Sequence, residues 1–285
     1  MAERLNSNSR DVDVIRMKFS SQTITVKCFD GSGMIAYIDT PKIDGPQPAI
    51  IVVHEAWGLN DQIKGVANRY AEQGYVSIAP HLFSREKDLL TEQAIEKAMM
   101  HIWKIPLEKR GDPDAVQSLI RSLPENDQKV VNYFFTGREN AEKIMAQDLL
   151  CCINYLKNEE AVEPESLGIT GFCLGGGLTY QLATMYPFKA AVPFYGANPK
   201  PLEAVEKING PVFGVYAGED QRITSGVPAL VESMIKYKKT FQMKIYQGAQ
   251  HAFFNENRSS YNKAAAEDAW TMTLEFFNDY LKARQ

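Results

Sequence analysis

The sequence predicts an α/β protein whose mostly parallel central sheet carries helices on both faces and takes antiparallel strands at its N-terminal end. Three observations carry this expectation. From Ala49 onward, apolar runs of strand length alternate with segments of helical period, the pattern of βαβ units. The runs are continuous rather than alternating, Ala49 to Val53 above all, as strands buried on both faces require. Ahead of them, Val14 to Phe19, Thr23 to Cys28 and Met34 to Ile38 are short apolar-rich runs separated by Ser20-Ser21 and Asp30-Gly31-Ser32-Gly33, which reads as strands joined by tight turns.

The chain has 285 residues and is 45% hydrophobic, enough to bury about three quarters of its unfolded surface in a single domain spanning residues 1–285. Its net charge of −4 comes from 31 basic and 35 acidic residues with no basic block, which argues against nucleic acid and against a membrane surface. The expected partner is a small molecule, bound by a monomer or small homo-oligomer. Residues 1–16 are polar and no long apolar run follows, so a soluble, cytoplasmic protein is expected. Cys28, Cys151, Cys152 and Cys173 show no C-x-x-C spacing, and the adjacent pair lies in a helical pattern where successive side chains diverge. Thiols are expected, with no zinc site or disulfide framework.

In chain order, a helix is predicted from Ile63 to Gln73, stopped by Gly74, and a strand from Tyr75 to Ala79, stopped by Pro80. The next strand, Ser166 to Thr170, comes after about eighty residues, far more than a crossover helix needs. Four segments of helical period fill the gap: Leu90 to Trp103, Asp114 to Leu123, Gln128 to Phe135 and Glu139 to Leu156. The last is the crossover helix. The rest make residues 86–138 a helical insertion that either caps a site or pads a sheet edge, and the sequence does not choose. Strands Ala190 to Phe194, Val212 to Tyr216 and Phe241 to Tyr246 follow, with a helix from Val227 to Tyr237. A C-terminal helix presents Ala265, Ala269, Met272, Phe276 and Tyr280 on one stripe, with Trp270, Leu274, Phe277 and Leu281 beside it.

The stretch Gly171-Phe172-Cys173-Leu174-Gly175-Gly176 has the form of a nucleophile elbow, between the strand Ser166 to Thr170 and a helix Leu174 to Tyr186. Such a turn strains the backbone of its apical residue and points that side chain out above the sheet. At a helix start, Cys173 also meets free N–H groups and the positive end of the dipole, which favour a thiolate and an oxyanion. Ligands of parallel sheets bind at the carboxyl ends of strands, and there lie Asp220, after Val212 to Tyr216, and His251, after Phe241 to Tyr246. Nucleophile, acid and base thus follow in the chain order of α/β-hydrolases, with Glu219 the weaker choice of acid.

The elbow, Asp220, His251 and the stretch His54-Glu55-Ala56-Trp57-Gly58-Leu59 together resemble the dienelactone hydrolase (carboxymethylenebutenolidase) family over roughly residues 30 to 283. The resemblance implies an α/β-hydrolase fold and catalysis by Cys173, Asp220 and His251. It also implies that Glu55 holds the resting cysteine as a thiol until substrate binds, and that the Ala56 and Leu174 N–H groups form the oxyanion hole. His54 reads as structural, and Trp57 as a wall of the pocket. Arg85 matches one substrate-binding arginine of the family; a second is replaced by Asn255, and Arg258 is its candidate substitute. His81 also stands where the family usually has an aspartate.

These readings imply a carboxylic ester hydrolase that opens a small carboxylate-bearing enol-lactone by acyl transfer through Cys173, with no metal or organic cofactor. Two rivals stay open: a broad-specificity carboxylesterase or thioesterase with the same triad, and a non-catalytic binding or thiol redox-sensing module.

Overall fold

The computed structural model describes residues 19–106, 109 and 112–282. Its sheet has eight strands: β1 (Phe19–Lys27), β2 (Gly33–Pro41), β3 (Gln47–Val53), β4 (Val76–Pro80), β5 (Val162–Phe172), β6 (Ala190–Phe194), β7 (Val212–Ala217) and β8 (Phe241–Tyr246). They lie side by side in the order β1-β2-β4-β3-β5-β6-β7-β8. The β1–β2 and β2–β4 pairs are antiparallel, and every pair from β4–β3 to β7–β8 is parallel. This is the predicted architecture, an α/β-hydrolase fold. The predicted strand from Val14 lies outside the described residues except for Phe19, which opens β1; Ser20-Ser21, expected as a turn, lie inside β1 and pair with Thr40 and Asp39.

Continuous apolar strands work here because each supplies both faces of the sheet. In β3, Ala49, Ile51 and Val53 pack into one core while Ile50 and Val52 pack into the other, all fully buried. The second face is covered by α1 (Asp61–Glu72) and α9 (Lys263–Leu281). The first is covered by α5 (Arg138–Lys157), α6 (Leu174–Ala183) and α8 (Val227–Lys236). Helix starts are capped as their sequences suggest: Asn60 accepts from the Ile63 N–H, and Asn262 from the Ala265 N–H.

Two boundaries and one buried face differ from expectation for local reasons. β5 begins at Val162, because Val162 pairs with Gln47 although Glu163, Pro164 and Glu165 look unlike a strand. Pro80 ends β4 instead of following it, opposite Ala36 of β2. α9 buries Ala265, Ala269, Phe276, Phe277 and Leu281, the seam between its two predicted stripes, and leaves Met272, Trp270, Leu274 and Tyr280 at the margins. Arg69 stacks over Trp270, its guanidinium carbon 3.9 Å from the ring centre.

Between β4 and α5, in the stretch expected to be an insertion, lie α2 (Glu92–Trp103), α3 (Pro113–Ser122) and α4 (Glu125–Phe134). Its apolar residues Ile95, Ala98, Val116, Ile120, Val130 and Val131 are buried with the core beneath α5. Across it, the carboxylate of Asp127 on α4 takes Lys97 at 2.9 Å and His101 at 3.3 Å, both from α2.

Candidate active site

At the end of β5 the chain turns directly into α6, and Cys173 is the pivot, with φ 56° and ψ −110°. A non-glycine residue in this conformation stores on the order of 1–3 kcal/mol, which the surroundings must hold. The Cys173 N–H donates to the Phe194 carbonyl at 3.1 Å, and its own carbonyl accepts from Gly177 at 3.1 Å. Two glycines make the turn possible. A Cβ on Gly171 would lie 2.2 Å from the Gly175 carbonyl oxygen, and one on Gly175 would lie 2.4 Å from that of Val53.

Asp220 follows β7 at the start of the short helix α7 (Gln221–Thr224), and His251 lies in the turn after β8. The His251 Nδ1 and Asp220 Oδ2 are 2.5 Å apart, and the Asp220 carboxylate is buried. With Nδ1 held by this carboxylate, Nε2 is left for the Cys173 side. Burial pulls the His251 pKa down, but the charge of Cys173 and the bonds to Asp220 and Cys173 outweigh it, pushing His251 up to about 10. Glu219 is engaged elsewhere, accepting from the Gly248 N–H at 3.2 Å.

Cys173, His251, Ala56, Leu174 and Tyr195 line one cavity of about 130 Å³. Neither the Ala56 nor the Leu174 amide donates to any other described residue, and both residues line the cavity with Cys173, so two free N–H groups are available there. Behind them, His54 is fully buried and its Nε2 accepts from the Leu82 N–H at 3.1 Å, so Nδ1 carries the proton to the Glu55 carbonyl 2.5 Å away. Burial holds this imidazole neutral, its pKa down to about 3. His54 therefore fixes the Glu55-Ala56 backbone.

The family profile of "Dienelactone hydrolase family" matches residues 34–281. The chain belongs to the dienelactone hydrolase family. A Saccharolobus solfataricus protein is 45% identical over 247 residues, covering 87% of this chain and 94% of its own. One from Escherichia coli K12 is 30% identical, covering 88% and 84%. Both bear the name "Putative carboxymethylenebutenolidase". The crystal structure titled "Putative Dienelactone Hydrolase from Klebsiella pneumoniae subsp. pneumoniae MGH 78578" superposes with a TM-score of 0.71 at 25% identity, covering 92% of this chain and all of that one. This dienelactone hydrolase family member is a carboxylic ester hydrolase, and its substrate is a small-molecule ester. Among the described residues no helix is long and apolar enough to cross a membrane.

Not every expected site residue of this family member faces the cavity. The Glu55 carboxylate is buried and makes no hydrogen bond to Cys173; it accepts from the Tyr195 hydroxyl at 3.2 Å and from Asn255 Nδ2 at 2.7 Å. Burial raises its pKa despite Asn255, His251, Tyr195 and Arg258. Arg85, expected to hold a substrate carboxylate, is captured by two aspartates: Nε and Nη2 bond Asp148 at 3.1 and 2.6 Å, and Nη1 bonds Asp30 at 2.6 Å. The buried Asp148 explains this, since an unpaired carboxylate there would be costly. Arg258 stacks on Trp57, its guanidinium carbon 4.0 Å from the ring centre, and pairs with Glu96 at 3.3 Å. Trp57 lines an adjacent cleft with His81 and Lys64 instead of the cavity beside Cys173.

The residues that do complete the cavity went unread in the sequence. Met99 of α2, Tyr133 and Phe134 of α4, and Met145 of α5 form an apolar wall opposite Cys173. Helical periodicity marked these elements without saying which face would look inward. Tyr195, with φ 37°, stands directly after β6 and its ring centre is 5.1 Å from that of His251. The strand-end rule that pointed to Asp220 and His251 applies equally to Tyr195, and to Arg222, which follows Asp220 by two positions and also lines the cavity.

Proposed function

We propose that the chain is a cysteine-dependent ester and lactone hydrolase in which Cys173 is the nucleophile, His251 the acid–base and Asp220 its orienter. The observation that supports this most is the hydrogen bond from His251 to Asp220 beside a strained cysteine in a common cavity with two unpartnered amides. His251 takes the Cys173 proton, and the thiolate adds to the ester carbonyl while the Ala56 and Leu174 amides hold the oxyanion. Collapse breaks the carbonyl C–O bond, and the leaving oxygen takes the proton from His251. Water, deprotonated by His251, then attacks the thioester; the C–S bond breaks, the sulfur takes that proton back from His251, and the acid departs.

Glu55 modulates the thiol by charge in this reading. Held by Asn255 and Tyr195, it stands beside the catalytic groups as a buried carboxyl whose ionisation opposes that of Cys173. Residues 86–138 act as a cap, since α2 and α4 supply the apolar wall. The capture of Arg85 takes one expected cation away from the substrate, which supports a second reading, a neutral ester handled by a broad carboxylesterase.

The test is a panel of neutral and carboxylate-bearing esters and enol-lactones with wild type and Cys173→Ala. Loss of turnover on every substrate, with an unchanged thermal transition, is the expected result. Substantial residual turnover in Cys173→Ala would remove the nucleophile assignment.

A further inference from the structure

Four arginines lie around this site, and three already have acidic partners. Arg85 is bound by Asp148 and Asp30, Arg258 by Glu96, and Arg138 by Glu142 at 2.6 Å. Arg222 forms no ion pair or side-chain hydrogen bond with the described residues, and it lines the cavity together with Cys173 and His251. It is carried on α7, two positions after Asp220, whose backbone carbonyl accepts from the Ile223 and Thr224 N–H groups. The same turn that presents the carboxylate to His251 therefore presents a guanidinium to the cavity.

The rest of the wall is largely apolar, with Met99, Tyr133, Phe134, Phe135 and Met145. Arg138 and Glu142 also line it but neutralise one another. The cavity thus has one uncompensated positive charge beside a greasy surface. A neutral substrate has no use for it, whereas a carboxylate matches the planar fork of this guanidinium, which is exposed to solvent and free to turn onto a bound anion.

We propose that Arg222 is the specificity-determining residue of this hydrolase, pairing with a carboxylate on the substrate while the apolar wall receives the remainder. The anion preference that Arg85 does not supply is relocated to the loop after β7. This rests on the cysteine hydrolase reading above and makes the carboxylate-bearing ester its favoured substrate class.

The experiment follows 4-nitrophenol release from the 4-nitrophenyl monoester of glutaric acid and from its methyl ester, in which a methyl group removes the charge of the free carboxylate. Arg222→Ala should lower kcat/KM for the monoester at least about tenfold and change the methyl ester less than about twofold, mainly through KM. Arg222→Lys should retain part of the preference, and Arg222→Glu should shift it toward an ester bearing a trimethylammonium group. Equal effects of Arg222→Ala on both esters, or none on either, would overturn the proposal. So would a selective loss confined to Arg138→Ala. Turnover of both esters by Cys173→Ala would instead defeat the cysteine-nucleophile reading, so the two failures are separable.

Discussion

Arg85 grips the buried carboxylate of Asp148 with Nε and Nη2, at 3.1 and 2.6 Å, and so ties the segment after β4 to helix α5. The geometry is that of a structural clamp. Removing one partner leaves the other charge buried and uncompensated, which costs about 3–5 kcal/mol.

Arg85→Ala should accordingly lower the thermal midpoint by several degrees. Well below that midpoint, kcat/KM on a neutral ester should stay within about twofold of wild type. The double variant Arg85→Met/Asp148→Leu should recover much of the lost stability, because no charge is left stranded. Urea denaturation of the three proteins measures this, and an undiminished midpoint for Arg85→Ala would contradict the clamp.

Glu55 is a buried carboxyl whose pKa is raised, chiefly by burial. The folded state therefore binds its proton more readily than the unfolded state does, and the cost of burying the charge is full above the folded pKa and disappears below the ordinary value of 4.5. Glu55→Gln should raise stability at pH 8 by about 1–2 kcal/mol relative to wild type and leave it unchanged near pH 4. It should also speed alkylation of Cys173 by iodoacetamide at pH 7, since a negative charge opposing the thiolate is gone. Identical alkylation rates would separate Glu55 from the thiol.

His251 has the opposite linkage. Its folded pKa is raised from 6.5 to about 10, so the stabilisation from its partners is complete below about 6.5 and is lost as pH climbs through about 10. Wild type should lose more stability than His251→Ala between pH 7 and pH 10, as chemical denaturation at each pH would reveal. His251→Ala should also slow iodoacetamide labelling of Cys173 about tenfold at pH 7. Parallel stability profiles would mean that no imidazolium is held in the resting protein.

Cysteine accessibility offers a further check. Cys28, Cys151 and Cys152 are buried, and burial with the neighbouring Asp148 pushes Cys28 up to about 12, whereas Cys173 is partly exposed. Titration with a thiol reagent at pH 7.5 should find one fast-reacting group in the native protein, absent from Cys173→Ala, and all four in denaturant. Rapid labelling of Cys151 in the native state would contradict the packing of α5.

What the sequence determined by itself was the layout that local rules govern. Apolar runs and helical periods specified the parallel sheet and its helices, since burial on two faces leaves a direct mark on composition. Gly171 and Gly175 around Cys173 marked the elbow, because a Cβ at either glycine would strike backbone, and Asp220 and His251 were visible as polar groups at strand ends. Only the tertiary structure decided which charged groups meet. Arg85 finds Asp148 across 63 positions and Glu55 finds Asn255 across 200, and no local pattern encodes such pairings. The tertiary structure also turned α2 and α4 so that Met99, Tyr133 and Phe134 face Cys173, and left Arg222 as the cavity's unpaired cation. The physical reason is that a side chain's partner depends on how whole elements pack, while its tendency to form an element depends on its neighbours in the chain.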